Sequence, residues 1–445
     1  MTWPIRKVLA AAALAIVCVL ALQGVFVASL TFVRAHTDLA RVRAHITQAF
    51  ADGVLDNDER PRLIIHRYGH QFTECTGLHL SIDDQPDPLK AAMLPQLHSR
   101  YVGPCGELER SAAGIETSDR TDYARYWHGY RLYIWPMLEH FSLQNVRFVN
   151  AGLLLAALLF FFVSLRRAIG STPAALLLIV LLSLTDIWRM WNITTHALST
   201  VIILAGAGLF ARVYLASRDL TRAVVLAAIL GAVFNFIDFL INPPMLPMLM
   251  AFVVIAVELR DVPRLIKPTV MPALGTAGLV ALAWFGGYGL TWASEWTLAA
   301  YLSADSAKTW TAIVRQIALR VNGTEPDSVV PIYPLVPTLT VIVQSFIAVG
   351  SLFVAILAAA LLVQARRHWA AFDWRRFLLL SSPTLIATLW FEVLNNHTQT
   401  HSHFTYRSES AAIAIVFAAF AMANAPVSMR SLLTGLWTAA RPARA

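Results

Sequence analysis

The chain has 445 residues, of which 57% are hydrophobic and only 14% charged. With a mean hydropathy of +0.59, that apolar excess excludes an ordinary soluble globular domain and points to burial in a bilayer. A net charge of +8 does not indicate a nucleic-acid partner, because the basic residues fall in short loops between apolar runs rather than on one polar face.

The first element is an apolar run from Val8 to Phe32, longer than the ~7 to 15 residues of a cleavable signal peptide, so it reads as a retained helix. A bilayer core of ~30 Å needs ~20 residues per helix. By that ruler ten spans are expected, at about 8–32, 147–165, 173–190, 196–215, 223–241, 245–258, 269–291, 336–364, 376–394 and 408–425. The sixth is the weakest, because Pro243, Pro244 and Pro247 crowd its start. The expectation is an all-α integral membrane protein with four parts. These are an N-terminal transmembrane helix (1–32), a large loop domain (33–146), a bundle of about nine helices (147–425) and a tail (426–445).

Arg and Lys collect at Arg6/Lys7, Arg166/Arg167, Arg218/Arg222, Arg260/Arg264/Lys267, Arg366 to Arg376 and Arg430 to Arg444. With ten spans every cluster lies on one side, which the positive-inside rule makes cytoplasmic. Both termini are then cytoplasmic, the membrane is the inner one, and loop 33–146 is extracytoplasmic. Twelve of the 13 histidines fall on that outer side, His368 being the exception.

Three polar segments stand out in chain order. In HRYGHQFTECTGLHL (66–80), Glu74 lies among His66, His70 and His79, a pattern that suits a general base. Cys75 here and Cys105 later are candidates for a disulfide in an oxidising compartment, worth roughly 3 kcal/mol in the chain-entropy model. The segment 117–138 is expected to be an amphipathic, aromatic-rich helix. Within it, YARYWHGYR (123–131) packs Arg125, Trp127, His128 and Arg131 together, aromatic faces for a sugar ring and cations for a phosphate. In NNHTQTHSHFTYR (395–407), helical spacing puts His397 and His401 on one face. Tyr406 and Arg407 follow, the latter a planar fork suited to a phosphate. The His spacing also admits a divalent metal, though no Cys or carboxylate ligand follows it. Asp186 and Asp238 are rival bases, since an ionisable residue at a span's mouth needs a partner or water. An ion-pair role for either is the plain alternative.

These motifs carry a resemblance. Thr73-Glu74, Tyr123 to Arg131, FNFIDFLINPP (234–244) and Asn396-His397 through Arg407 resemble a poorly characterised family of bacterial multi-pass membrane proteins. The chain departs from that pattern in carrying Glu74 where Asp is expected and Glu295 where Lys is expected. In topology it is also similar to the GT-C glycosyltransferases, which have a large first outer loop with an acidic residue and use polyprenyl-phosphate sugars. The resemblance implies transfer of a sugar from such a donor to a glycan or lipid acceptor. No GxxxxGK[ST], GxGxxG, GxSxG or HExxH motif is present, so energy is expected to arrive in the substrate or in a gradient. The competing expectations are a transporter or flippase of a lipid-linked or anionic solute, and a non-catalytic scaffold.

Overall fold

The structure is a computed structural model and describes residues 4–56, 71–98, 103–115, 120–260, 262, 267–323, 333–347, 350–366 and 372–424. The expected tail at 426–445, and His66, His70 and His368, lie outside the described residues. Among the described residues 83% are helical and almost none are in strands, and the protein is an all-α membrane protein.

The chain opens with α1 (Ile5–His36), then α2 (Leu39–Ala51), α3 (Gln71–Ser81), α4 (Pro88–Met93), strand β1 (Gln96–His98), α5 (Gly103–Ala112), strand β2 (Arg120–Asp122) and α6 (Arg131–His140). The bundle continues with α7 (Leu143–Ile169), α8 (Ser171–Leu184), α9 (Thr194–Ser217), α10 (Leu220–Ile237), α11 (Met245–Leu259) and α12 (Lys267–Leu302). It closes with α13 (Ser306–Asn322), α14 (Val336–Phe346), α15 (Ser351–Arg366), α16 (Trp374–Ser381), α17 (Leu385–Val393), α18 (Asn395–Thr400) and α19 (Ser402–Ala423).

Among the described residues seven helical runs are long and apolar enough to cross a bilayer: α1, α7, α9, α10, α12, Trp374–Val393 and α19. The α14–α15 pair would make an eighth if joined. The expected span at 173–190 ends early as α8, and the expected run at 245–258 is realised as α11, so both, at 14 and 15 residues, are shorter than the crossing helices. Side chains set where α8 ends and where α11 begins. After Leu184 the Thr185 hydroxyl bonds the Leu181 carbonyl and accepts from the Ile187 amide, turning the chain into a 3-10 segment, Ile187–Asn192. At the end of α10 the Asp238 carboxylate accepts from the Ile241 amide at 3.0 Å, and the next helix begins only at Met245, after Pro243 and Pro244.

The expected helix over 117–138 is realised only as α6. Ahead of it β2 pairs antiparallel with β1 (Gln96 opposite Asp122) and residues 123–130 form a turn in which His128 has φ 55°. Loop residues Val42, Leu78, Leu108 and Ile134 share one apolar cluster with the bundle residues Leu154, Phe161 and Leu177. The loop helices and the bundle therefore bury a common core rather than two separate ones.

Helix termini follow local chemistry. Asp38, Ser142, Asp219 and Asp305 each accept backbone amides at the starts of α2, α7, α10 and α13. Between α10 and α12 the backbones touch: a Cβ at Gly287 would collide with the Ala228 carbonyl, and one at Gly231 with the Trp284 carbonyl. Such close approach is how helices pack where no hydrophobic gradient separates protein from lipid.

Basic residues at the end of the bundle away from α2–α6 join its helix ends. Lys7 pairs with Asp219 at 3.0 Å, Arg260 donates to the Arg167 carbonyl at 3.0 Å, and Arg376 bonds the Val262 carbonyl.

Candidate functional site

At the loop-bearing end, five stretches of chain meet. The 123–130 turn is fastened to the end of α10, where the Gly129 amide donates to the Phe236 carbonyl at 2.7 Å and a Cβ at Gly129 would strike that same carbonyl. Phe239 then lies against Tyr126, His128 and Tyr130, with ring centroids 5.6, 5.3 and 5.0 Å away. Leu240, held at φ 64°, presents its carbonyl to His397 Nε2 at 3.2 Å. The Asn242 amide, nitrogen toward Phe404, donates to that residue's carbonyl at 3.1 Å. These contacts tie the 238–242 segment to α18 and the start of α19.

The fifth stretch is the last turn of α13. Arg320 donates to the Tyr126 hydroxyl at 2.6 Å and sits over the Tyr126 and Trp292 rings, 5.3 and 6.0 Å from their centroids. Its helix ends at Gly323, left-handed at φ 66°, and the Asn396 amide bonds the Leu319 carbonyl at 2.7 Å. His397 and His401 rings lie 4.8 Å apart, and His401 stacks on Phe404 at 4.9 Å.

Asp238 is the unusual member of this group. Buried and one residue past α10, its Oδ2 accepts from Ile241 while its Oδ1 has no hydrogen-bond partner among the described residues. Burial pushes its pKa up to about 7 against the opposing pull of the Ile241, Leu240 and Phe239 amides. Burial likewise holds His397 well below the usual imidazole value, helped by His401 and Arg320. His401 falls to about 4 through burial and the Arg320 charge. His128 is also well below, through burial and then Arg131. At neutral pH the three imidazoles are uncharged; the cation facing His397 and His401 is Arg320, and those nearest His128 are Arg131 and Arg125.

Other residues expected at the site are engaged elsewhere. Asp186 takes a forked pair of bonds from Arg407, Nε at 2.5 Å and Nη2 at 2.8 Å, and a third from the Tyr406 hydroxyl at 2.8 Å. Asp186 thus takes the ion-pair role, with Arg407 as its partner, and the Arg407 fork expected to hold phosphate is already filled by a carboxylate. Arg131 is fully buried, donating to the backbone carbonyls of His128, Ala91 and Ala92 and lying 4.9 Å over the Trp135 ring. Trp127 is buried with its Nε1 on the Thr291 carbonyl at 2.8 Å. Arg125 is half-buried, 4.8 Å over the Tyr123 ring, beside the Arg320 group because its carbonyl accepts from Trp292 Nε1 at 2.9 Å.

Glu74 belongs to a second polar centre. One carboxylate oxygen accepts from the Thr194 hydroxyl at 2.5 Å, the other from the Thr195 amide at 3.3 Å, and Arg147 lies 3.9 Å away. The carboxylate therefore caps the N-terminus of α9 from across the loop. Burial raises its pKa, with Arg147 and the Thr194 hydroxyl opposing. The structure bonds Cys75 to Cys105, which ties α3 and its Glu74 to α5. His79, one of the expected flanking imidazoles, bonds the Ser111 hydroxyl at 3.0 Å instead.

No three His, Cys, Asp or Glu side chains among the described residues come together in a way that could hold a metal ion. Sequence reasoning missed Arg320. The signal for it was an amphipathic stretch, Ser306 to Asn322, ending in a basic residue and a glycine. Compared with known protein families, curated sequences and solved structures, the chain matches none.

Proposed function

We propose that this chain is a membrane transferase that moves a sugar from a polyprenyl-phosphate donor to a hydroxyl of a cell-surface glycan or lipid. We read the loop-bearing end as the periplasmic face of the inner membrane and both termini as cytoplasmic. The observation that carries the reading is Asp238, a buried carboxylate with one unpartnered oxygen, beside a group that contains Arg320, neutral His397 and His401, and the Tyr126 and Trp292 rings.

In this reading Asp238 accepts the proton of the acceptor hydroxyl as that oxygen bonds to the anomeric carbon. The bond from the anomeric carbon to the phosphate oxygen breaks, and the electron pair leaves on the lipid phosphate. Arg320, with Arg125 nearby, meets that developing charge. The rings cover the apolar face of the sugar and the neutral imidazoles donate or accept hydrogen bonds. A base at about 7 is matched to neutral pH. The lipid carrier supplies the leaving group, which fits a chain without a nucleotide-binding motif.

The test is to incubate the purified full-length protein with a panel of polyprenyl-phosphate sugars and follow sugar release or transfer. Turnover should be lost in Asp238→Asn and reduced in Arg320→Lys; wild-type turnover in Asp238→Asn removes the base, and no turnover with any donor removes the activity. Reporter fusions placing residues 37–142 in the cytosol would overturn the orientation. A second reading, a flippase of a lipid-linked or anionic solute, draws on the short α8 and α11 and the non-helical backbone that adjoins them at the same end. It predicts donor movement across vesicles without donor consumption.

A further inference from the structure

Helix α13 has three faces of different chemistry. At ~100° per residue, Trp310, Val314 and Ile317 form one stripe, and they are 41%, 60% and 40% exposed. Lys308 and Arg315, both exposed, project about 100° or more around the helix from it. Ile313 and Arg320 form the remaining face, buried at 6% and 9%, where the helix packs on α12 and α18. A helix in water needs two faces, one dry and one wet. Among the described residues the exposed apolar stripe is the face left without a protein partner.

The residues on either side in the chain say what covers it. Tyr301, at the end of the preceding span, is 83% exposed, and Leu335, just before the following helix, and Leu339 and Val343 within it are 59%, 56% and 61% exposed. Exposed apolar surface thus flanks the stripe in the chain before and after. At 17 residues, and with Lys308, Arg315 and Arg320 within it, α13 is not itself among the candidate spans.

We infer that α13 is an interfacial helix. Its Trp310–Val314–Ile317 stripe lies in the acyl boundary, Lys308 and Arg315 lie among the phospholipid headgroups, and Arg320 in its last turn is thereby held at headgroup depth. The bilayer surface becomes part of the scaffold that positions Arg320 against Tyr126. The inference goes beyond the transfer reading and stands without it.

The experiment uses the full-length chain with Cys18→Ala, reconstituted in phosphatidylethanolamine and phosphatidylglycerol vesicles. Nitroxides are attached after Lys308→Cys, Val314→Cys, Arg315→Cys or Ile317→Cys, one at a time. Collision with oxygen, which concentrates in the acyl region, and with a water-soluble nickel chelate is read by saturation electron paramagnetic resonance. The oxygen-to-nickel ratio should be several-fold higher at 314 and 317 than at 308 and 315. Equal ratios at all four positions, or labels at 314 and 317 that neither reagent reaches, overturn the proposal, the latter outcome meaning a protein partner or second copy covers the stripe. Brominated-lipid quenching of tryptophan emission, compared between the unsubstituted chain and Trp310→Phe, gives a readout without labelling. A smaller quenched fraction in the variant supports the placement, and an unchanged one overturns it.

Discussion

Glu74 and Asp238 are both carboxylates buried to within a few per cent of full occlusion, yet their surroundings differ in kind. Both oxygens of Glu74 are accounted for by Thr194 and Thr195, with Arg147 as counter-charge. Asp238 has one oxygen accepting from a backbone amide and the other from no group among the described residues. A buried acceptor that is fully satisfied holds structure together, whereas one that is left open stores free energy that an incoming donor can release. Proximity to histidine in the sequence favoured Glu74; the count of satisfied lone pairs favours Asp238.

The sharpest way to break this contrast is Asp238→Asn. Turnover should fall by roughly 10²- to 10⁴-fold, the usual range for loss of a general base. The fold should hold and even gain. Because Asp238 titrates near 7 when folded and near 4 when unfolded, its proton favours the folded state. That contribution is fully present below the unfolded value and disappears as pH rises through 7. Thermal melts at pH 8 should therefore show the Asn variant at least as stable as the parent. A large drop in melting temperature would place Asp238 with Glu74 as a structural group.

Next in size is the ion pair that stands apart from both. Asp186→Ala leaves Arg407 buried without its carboxylate, which should cost about 3–5 kcal/mol and be read as loss of folded protein in detergent. Glu74→Ala comes third. It strands the Thr194 hydroxyl, the Thr195 amide and Arg147, a loss of about 1–3 kcal/mol, measured as a lower melting temperature with turnover per folded molecule kept. If turnover vanishes while stability is unchanged, the two carboxylates have exchanged roles.

The smallest effect is on pH dependence. Turnover of the unsubstituted protein should rise about tenfold per unit as pH approaches 7 from below and level off above it. Stability should fall between about pH 6.5 and 4. There the unfolded histidines bind protons that His397, His401 and His128 refuse in the folded state. Replacing His401 with Asn should shallow that fall.

Much of this could be read along the chain. Apolar runs marked the long spans because each needs only its own composition, and the segments 123–131, 234–244 and 395–407 were conspicuous because polar clusters beside such runs are costly without partners. The breaks at Thr185 and Asp238 were not legible. They depend on whether a hydroxyl or carboxylate turns back on its own backbone, and hydropathy is blind to that. Arg320 was missed for a related reason: on its helix it is one basic residue among several, and only the approach of Tyr126 from 194 positions away distinguishes it.

Composition and pattern by themselves determined that this protein lives in a bilayer, roughly where its long apolar helices run, and which stretches carry chemically capable side chains, since these follow from transfer free energies that act residue by residue. Which cation meets which anion was decided by tertiary structure alone. Arg407 closes on Asp186, Arg131 on backbone carbonyls and Glu74 on the start of α9, while Asp238 keeps an open oxygen. The reason is that satisfaction of a buried polar atom belongs to the groups packed around it, and those come from distant parts of the chain.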